Sequence, residues 1–264
     1  MGKVKIAVLD LNKGEDNEEV SSLVKWAKTV YPEALVRVFD LRVKQEFPDL
    51  NYHAFLVSGG PGDPRDAEGV FFDMFGQWLD GLMEWNRSHA QKRSALLICH
   101  SFQMACLHYG VAQVTERKSP AFGVYPVHLT DAGSSDPVLG PMDIPFYAAD
   151  FRHFQVVEPR EDRLEELDMH ILALEKVRPH VPLERAIMAI RFSDQVLGVQ
   201  FHPEVSPTIM RQYLKDPKRK EWIIRQDGPD KYHKMLRYLN DTSKMSAVYS
   251  YLIPAFLRRI DHSA

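Results

Sequence analysis

Along the chain, apolar positions gather into short runs separated by stretches with helical spacing. Lys5 to Leu11 (KIAVLDL) is a compact apolar run that ends in polar turn residues. From Glu18 to Tyr31, Val20, Leu23, Val24, Ala27 and Val30 recur three and four apart, the period of one helix face. The pattern then repeats. Leu35–Leu41 and Ala54–Ser58 read as strands, Phe71–Trp85 as an apolar-striped helix, Ala95–Cys99 as a further buried strand and Phe102–Tyr109 as a helix. Strands alternating with helices predict an α/β fold with a doubly wound, mainly parallel sheet.

From Phe122 to about Glu158 the texture changes to Val-, Phe- and Tyr-rich segments broken by Gly133, Pro137, Gly140, Pro141 and Pro145, which predicts hairpins added at a sheet edge. Strands are expected at Ile171–Leu174, Ala186–Arg191 and Val196–Phe201. The loop with Pro179, His180 and Pro182 receives no chemistry. After Pro207 the chain turns helical, at Ile209–Leu214, Tyr232–Leu239 and Ala247–Ile260, with a basic cluster Lys218-Arg219-Lys220. The expected division is residues 1–206 as the α/β domain and 207–264 as a helical C-terminal extension. In the last helix Tyr249, Leu252, Ile253, Phe256, Leu257 and Ile260 form an apolar stripe suited to packing on its own domain or to forming an interface, and Pro254 is expected to kink it.

Composition narrows the class. The 264 residues suit one large domain or one domain with an appendage. With 33 Lys and Arg against 36 Asp and Glu, the net charge of -3 is too balanced for nucleic acid or an anionic membrane surface to be the main partner. No apolar run approaches the roughly 20 residues that span a bilayer, and a cytoplasmic protein is expected. The two cysteines, Cys99 and Cys106, exclude a disulfide framework and a Cys-rich zinc site. Placed on one helix they would stand two turns apart, about 10 Å, too far to pair easily. His53, His108, His128, His153, His170 and His233 show no ligand spacing, so neither a metal nor a cofactor is expected.

Three segments carry candidate chemistry, each just past the carboxyl end of a strand, where doubly wound sheets hold their ligands. Ser58-Gly59-Gly60-Pro61-Gly62-Asp63-Pro64 offers glycines whose exposed N–H groups suit an anion or a developing oxyanion; it is not a Walker A loop, since no Gly-Lys-Ser/Thr follows. In Leu96-Leu97-Ile98-Cys99-His100-Ser101-Phe102-Gln103 a buried strand ends on cysteine and a helix starts at once, so the side chain of Cys99 projects from an elbow over a helix N-terminus, a field that favours a thiolate. Cys106, inside the helix, reads as a small buried hydrophobe. In Leu197-Gly198-Val199-Gln200-Phe201-His202-Pro203-Glu204, His202 and Glu204 are two apart on extended chain and point the same way, a base with its orienting carboxylate. Together these make a Cys-His-Glu triad.

The loop SGGPGDP, the elbow ICHSFQ and the terminal GVQFHPE, in that order, resemble the class I (triad-type) glutamine amidotransferases over roughly residues 3 to 206. The whole chain is similar to stand-alone proteins described as the amidotransferase part of GMP synthase, a description that rests on a domain many pathways share. The resemblance implies a flavodoxin-like fold in which a thiolate attacks the γ-amide of glutamine, forms a γ-glutamyl thioester and releases ammonia. It implies Cys99 as nucleophile, His202 as base and later acid, Glu204 as its orienter, Gly60 and the His100 backbone N–H as the oxyanion hole, and Gly59 and Gln103 in substrate binding. His100, although next to Cys99, is expected to serve as a backbone donor, because neighbours on an elbow diverge.

The chain departs from the family pattern at several points. Family elbows commonly read Gly-x-Cys-x-Gly, where this chain has Leu97 and Ser101, and Phe102 replaces the usual His. The family's Ser-His loop is absent around Phe146–Arg152; Asp150 and Arg152 are the expected contacts for charged ends of a substrate there. No synthetase domain is visible, so the expected partners are a small-molecule substrate, a separate ammonia-accepting synthetase and a second copy of the chain. Two other readings use the same residues: a γ-glutamyl peptide or conjugate hydrolase or transferase, and a non-catalytic binding or regulatory subunit.

Overall fold

The computed structural model describes residues 3–12, 17–66, 70–177, 184–241 and 244–261. The loop around His180 lies outside the described residues. The first half of the chain alternates β1 (Lys5–Asp10), α1 (Glu18–Val30), β2 (Leu35–Asp40), β3 (Ala54–Val57), α2 (Val70–Ser88), β4 (Ser94–Ile98) and α3 (His100–Tyr109). Asn17 starts α1 by accepting the Glu19 N–H at 2.7 Å, and Gly110 ends α3 in the left-handed region at φ 62°. β1 is apolar on both faces because both are covered. Ile6 and Val8 join a core that continues into α1, while Ala7 and Leu9 join the one beneath α2 and α3.

The second half adds β5 (Gln113–Leu129), α4 (Asp131–Ser134), β6 (Phe146–Val157), α5 (Glu161–Glu166), β7 (His170–Glu175), β8 (Ile187–Ser193) and β9 (Val196–Val199). The sheet runs β2-β1-β3-β4-β9-β8-β6-β5-β7. β2, β1, β3, β4 and β9 are parallel, an order that makes this half flavodoxin-like, with β9 as fifth strand. β8 joins antiparallel to β9, and the long β5–β6 hairpin follows beyond it. β7 pairs with both β5 and β8, so the antiparallel half curls back on itself.

Four helices complete the chain: α6 (Pro207–Lys215), α7 (Pro217–Asp227), α8 (Pro229–Asn240) and α9 (Met245–Leu257). In α9, Val248, Leu252, Ile253, Phe256 and Leu257, with Ile260 just beyond, belong to the same buried core as Ile6, Val8, Leu56 and Ile98. The helix continues through Pro254. Met210, Leu214, Tyr232, Met235 and Leu239 pack on Val124 and Ala149 of the hairpin. Three boundaries differ from the sequence reading. β5 begins at Gln113, well before Phe122, and its register breaks between Glu116 and Ala121. α3 begins at His100, directly after the cysteine. The basic cluster lies inside α7, whose start is marked by Asp216 capping the Arg219 N–H and by Pro217 in its first turn.

Candidate active site

The carboxyl ends of β3, β4 and β9, neighbours in the sheet, bring together the three segments that carry candidate chemistry. Cys99 sits between β4 and α3 at φ 52° and ψ -99°, a conformation that costs a non-glycine residue roughly 1–3 kcal/mol. The fold holds it from both sides: its N–H donates to Val199 O at 2.8 Å and its carbonyl accepts the Gln103 N–H at 3.0 Å. Its side chain stands at the N-terminus of α3, where helix dipoles favour negative charge. Ser101 secures the bend, accepting the Ile98 N–H at 2.8 Å and donating to Ile98 O at 3.0 Å. Leu97 is fully buried opposite Gly198 of β9, where a Cβ would lie 2.6 Å from both the Phe102 and Phe192 rings.

His202 follows β9. Its N–H donates to Ala149 O at 2.8 Å, and its Nδ1 lies 2.7 Å from Glu204 Oε1. Glu204 is fully buried, and its carbonyl accepts from Ser22 Oγ on α1 at 2.6 Å. Burial alone would push the His202 imidazole down; the Glu204 carboxylate and the Cys99 sulfur outweigh it and hold the ring well above its ordinary value. Nε2 has no conventional hydrogen-bond partner, and the Cys99 sulfur is its neighbour in charge. Glu19 of α1 adds a second carboxylate, its Oε2 4.0 Å from Nδ1. Burial raises the Glu19 pKa, with the His202 charge opposing and Glu204 and Asp10 adding to the rise. The donor atoms of Glu19, His202 and Glu204 fall within 4.8 Å of one another, a ligand-like grouping in which Glu204 Oε1 and His202 Nδ1 already engage each other.

Glycine gives room at two successive loop positions, one against this pair and the next against the end of β1. A Cβ on Gly59 would stand 3.0 Å from His202 Cε1 and 3.4 Å from Cys99 Cβ, and one on Gly60 would meet Leu11 O at 2.6 Å. Ser58 ties the loop to the end of β1 by accepting the Leu11 N–H at 3.0 Å and donating to Gly59 O at 2.8 Å. A strained, anchored cysteine thus shares a buried site with a carboxylate-held histidine and a glycine loop. The family model of the class-I glutamine amidotransferases matches residues 21–218. The chain belongs to that family.

Solved structures agree with this amidotransferase fold. A glutamine amidotransferase from Thermotoga maritima matches with a TM-score of 0.70 at 15% identity, over 100% of each chain. A protein from Thermoplasma acidophilum, described as one component of GMP synthase, matches with 0.56 at 19% identity, over 78% of this chain and 86% of that one. The glutaminase domain of CTPS from Trypanosoma brucei, with bound acivicin, matches with 0.56 at 14% identity, over 77% of this chain and 88% of that one. No curated protein sequence matches significantly. Among the described residues, no helix is long and apolar enough to cross a membrane.

Several residues of the amidotransferase site escape a reading of the sequence alone. Gln200 donates from Nε2 toward Cys99 Sγ at 3.5 Å and accepts from Gln103 Nε2 at 2.9 Å, so Gln103 reaches the thiol through a second glutamine. The signal for Gln200 is its place inside the GVQFHPE run. Glu19 and Ser22 come from α1 and carry no local signal. Asp150 and Arg152 have partners other than a substrate. Arg152 Nε donates to Asp150 Oδ2 at 3.0 Å and its Nη2 lies 3.6 Å from Glu175, which also pairs with Arg117 at 3.3 Å. The Asp150 and Arg152 side chains are only 3% and 1% exposed, and strand alternation turns them away from Phe151, whose ring faces His202 at 5.1 Å. The interior ion pair engages the two charges suggested for substrate ends, while Asp150 Oδ1 and Arg152 Nη1 stay without a hydrogen bond.

Proposed function

We propose that this amidotransferase hydrolyses the side-chain amide of glutamine, with Cys99 as nucleophile. The sulfur adds to the amide carbon, and the N–H groups of Gly60 and His100 receive the oxyanion. His202 gives its proton to the leaving nitrogen, ammonia departs, and a γ-glutamyl thioester is left on Cys99. His202 then takes a proton from water as water attacks the thioester, and glutamate is released. Glu204 keeps the imidazole oriented throughout. Gly59 and Gln103 line the substrate side.

The observation that carries this reading is the convergence on Cys99: a positive-φ elbow at a helix N-terminus, with the His202–Glu204 pair at the end of the adjacent strand. The ammonia goes to a separate synthetase. That assignment draws support from two fold neighbours, one described as a component of GMP synthase and the other a glutaminase domain of CTPS.

The test is ammonia and glutamate release from L-glutamine, beside a panel of γ-glutamyl peptides, for the purified chain and Cys99→Ser. Glutamine turnover abolished by the substitution is expected. Cys99-dependent turnover of γ-glutamyl peptides alone would replace the amidotransferase reaction with a peptide hydrolase. Loss of neither activity in Cys99→Ser would remove Cys99 as nucleophile.

A further inference from the structure

His100 is an unusual residue to find beside a nucleophile. Its side chain is buried, 3% exposed, and it does not join His202. Instead its Nε2 lies 2.8 Å from Nη2 of Arg42, in the loop after β2. A guanidinium carries only donors, so Nε2 is the acceptor and the ring proton resides on Nδ1. Burial, then the Arg42 charge, pushes the His100 pKa down to about 3, with Asp63 opposing weakly, so the ring is neutral across the working range. Arg42 is itself built in. Its guanidinium lies over the Phe71 ring of α2 at 5.0 Å, and a Cβ on Gly62 of the glycine loop would be 3.5 Å from its Nη1. Gly62 has φ 105°, a backbone conformation that favours glycine at this point of the loop.

One side chain thus touches the residue that follows the nucleophile and lies against the loop that carries Gly60. These are the two separate pieces of backbone that must hold their N–H groups in one geometry. We propose that Arg42 is a positioning residue for the oxyanion hole, acting through the His100 imidazole and the glycine loop rather than on the substrate. This rests on the glutaminase reading above. A salt bridge would not do the same work, because its partner carboxylate would bring negative charge toward the forming oxyanion. A neutral acceptor gives the arginine a directional anchor on His100 without a carboxylate. Asp63 is engaged by Arg65 at 2.6 Å, and Asp66, whose charge acts on Arg42, makes no ion pair with it.

The proposal separates from a merely structural role in steady-state kinetics. Arg42→Met is expected to lower kcat by about 10- to 100-fold with KM changed less than about threefold, below the 100- to 1,000-fold that follows loss of an oxyanion donor itself. Arg42→Lys, a single point donor, should recover part of the loss, and added guanidinium should partly rescue Arg42→Met. His100→Gln keeps an acceptor for Arg42 and should retain more activity than His100→Leu. In the His100→Leu background Arg42→Met should cost little more. Long-range ¹H–¹⁵N NMR of the histidine rings is independent of turnover: His100 should be the neutral Nδ1–H tautomer in the wild type and should titrate at higher pH in Arg42→Met. A folded Arg42→Met with kcat within twofold of wild type, or with KM and kcat lost together without rescue, overturns the positioning role. If the wild type shows no Cys99-dependent turnover, the glutaminase reading fails first, and an unchanged His100 spectrum in Arg42→Met then removes the pairing as well.

Discussion

Two histidines of this site are driven in opposite directions, and the consequence for stability differs in sign. His202 is held above its ordinary value, so its interaction with Glu204 contributes fully below pH of about 6.5 and is lost only as pH rises through the higher folded value. His100 is held down at about 3, so between there and about 6.5 the unfolded chain binds more protons than the folded one. Folding stability should therefore fall as pH drops through that window, by up to about 1.4 kcal/mol per pH unit from this group. His100→Gln should flatten the fall, measured as the urea midpoint between pH 7 and pH 4; parallel curves for the two proteins would mean that His100 is not held neutral. At this scale the sequence reveals partners that sit on one extended run, as His202 and Glu204 do. It hides those that meet through space, such as Arg42 with His100 and Glu19 with His202, because neither pair leaves a periodic trace.

Elements are legible where burial imposes a period and obscure where polar residues dominate. β1, β3, β4 and β9 are apolar runs, and their order along the chain already implies a parallel sheet with the site at its carboxyl edge. α7 escapes a reading by periodicity because Ile223 is its one fully buried side chain among those described, so no stripe marks it, although its Asp-Pro start is visible. The β5–β6 hairpin is legible as hairpin texture, but the sequence cuts its first strand short because Thr115 to Pro120 is polar and the register slips there. Gly198 shows a different limit: Phe102 after the elbow and Phe192 of β8 both pack where its side chain would be, a closeness no sequence period reveals. Gly198→Ala should drive a methyl against Phe102 and Phe192 and cost about 1–3 kcal/mol, with Phe102 pushing on α3 and slowing turnover. An unchanged melting temperature in a thermal scan would show that the two rings yield without strain.

At the scale of the molecule, α9 sits on the same core as the parallel strands. Val248, Leu252, Ile253, Phe256, Leu257 and Ile260 are each at most 3% exposed. Burying such side chains stabilises by roughly 1.5–3 kcal/mol each, and together they rival the about 5–15 kcal/mol that holds a typical domain folded. Removing residues 244–264 should therefore abolish cooperative thermal unfolding, followed by near-UV circular dichroism. A truncated chain that still melts cooperatively and changes only its oligomeric state would show the helix to be an interface. The apolar stripe is readable in the sequence; which surface covers it is not, since the receiving residues come from β6 and α1, far apart along the chain.

The curl of β7 onto both β5 and β8 also decides where this protein is vulnerable to its own kind. Among the described strands it leaves β2 with an unpaired margin, and there Leu35 and Val38 are 53% and 44% exposed. A foreign strand seeking a template there finds a short ledge of six residues, interrupted by the charges of Arg37 and Asp40. The curl closes the far side only in part, since β7 reaches β5 at three registered positions and β8 reaches β6 at one.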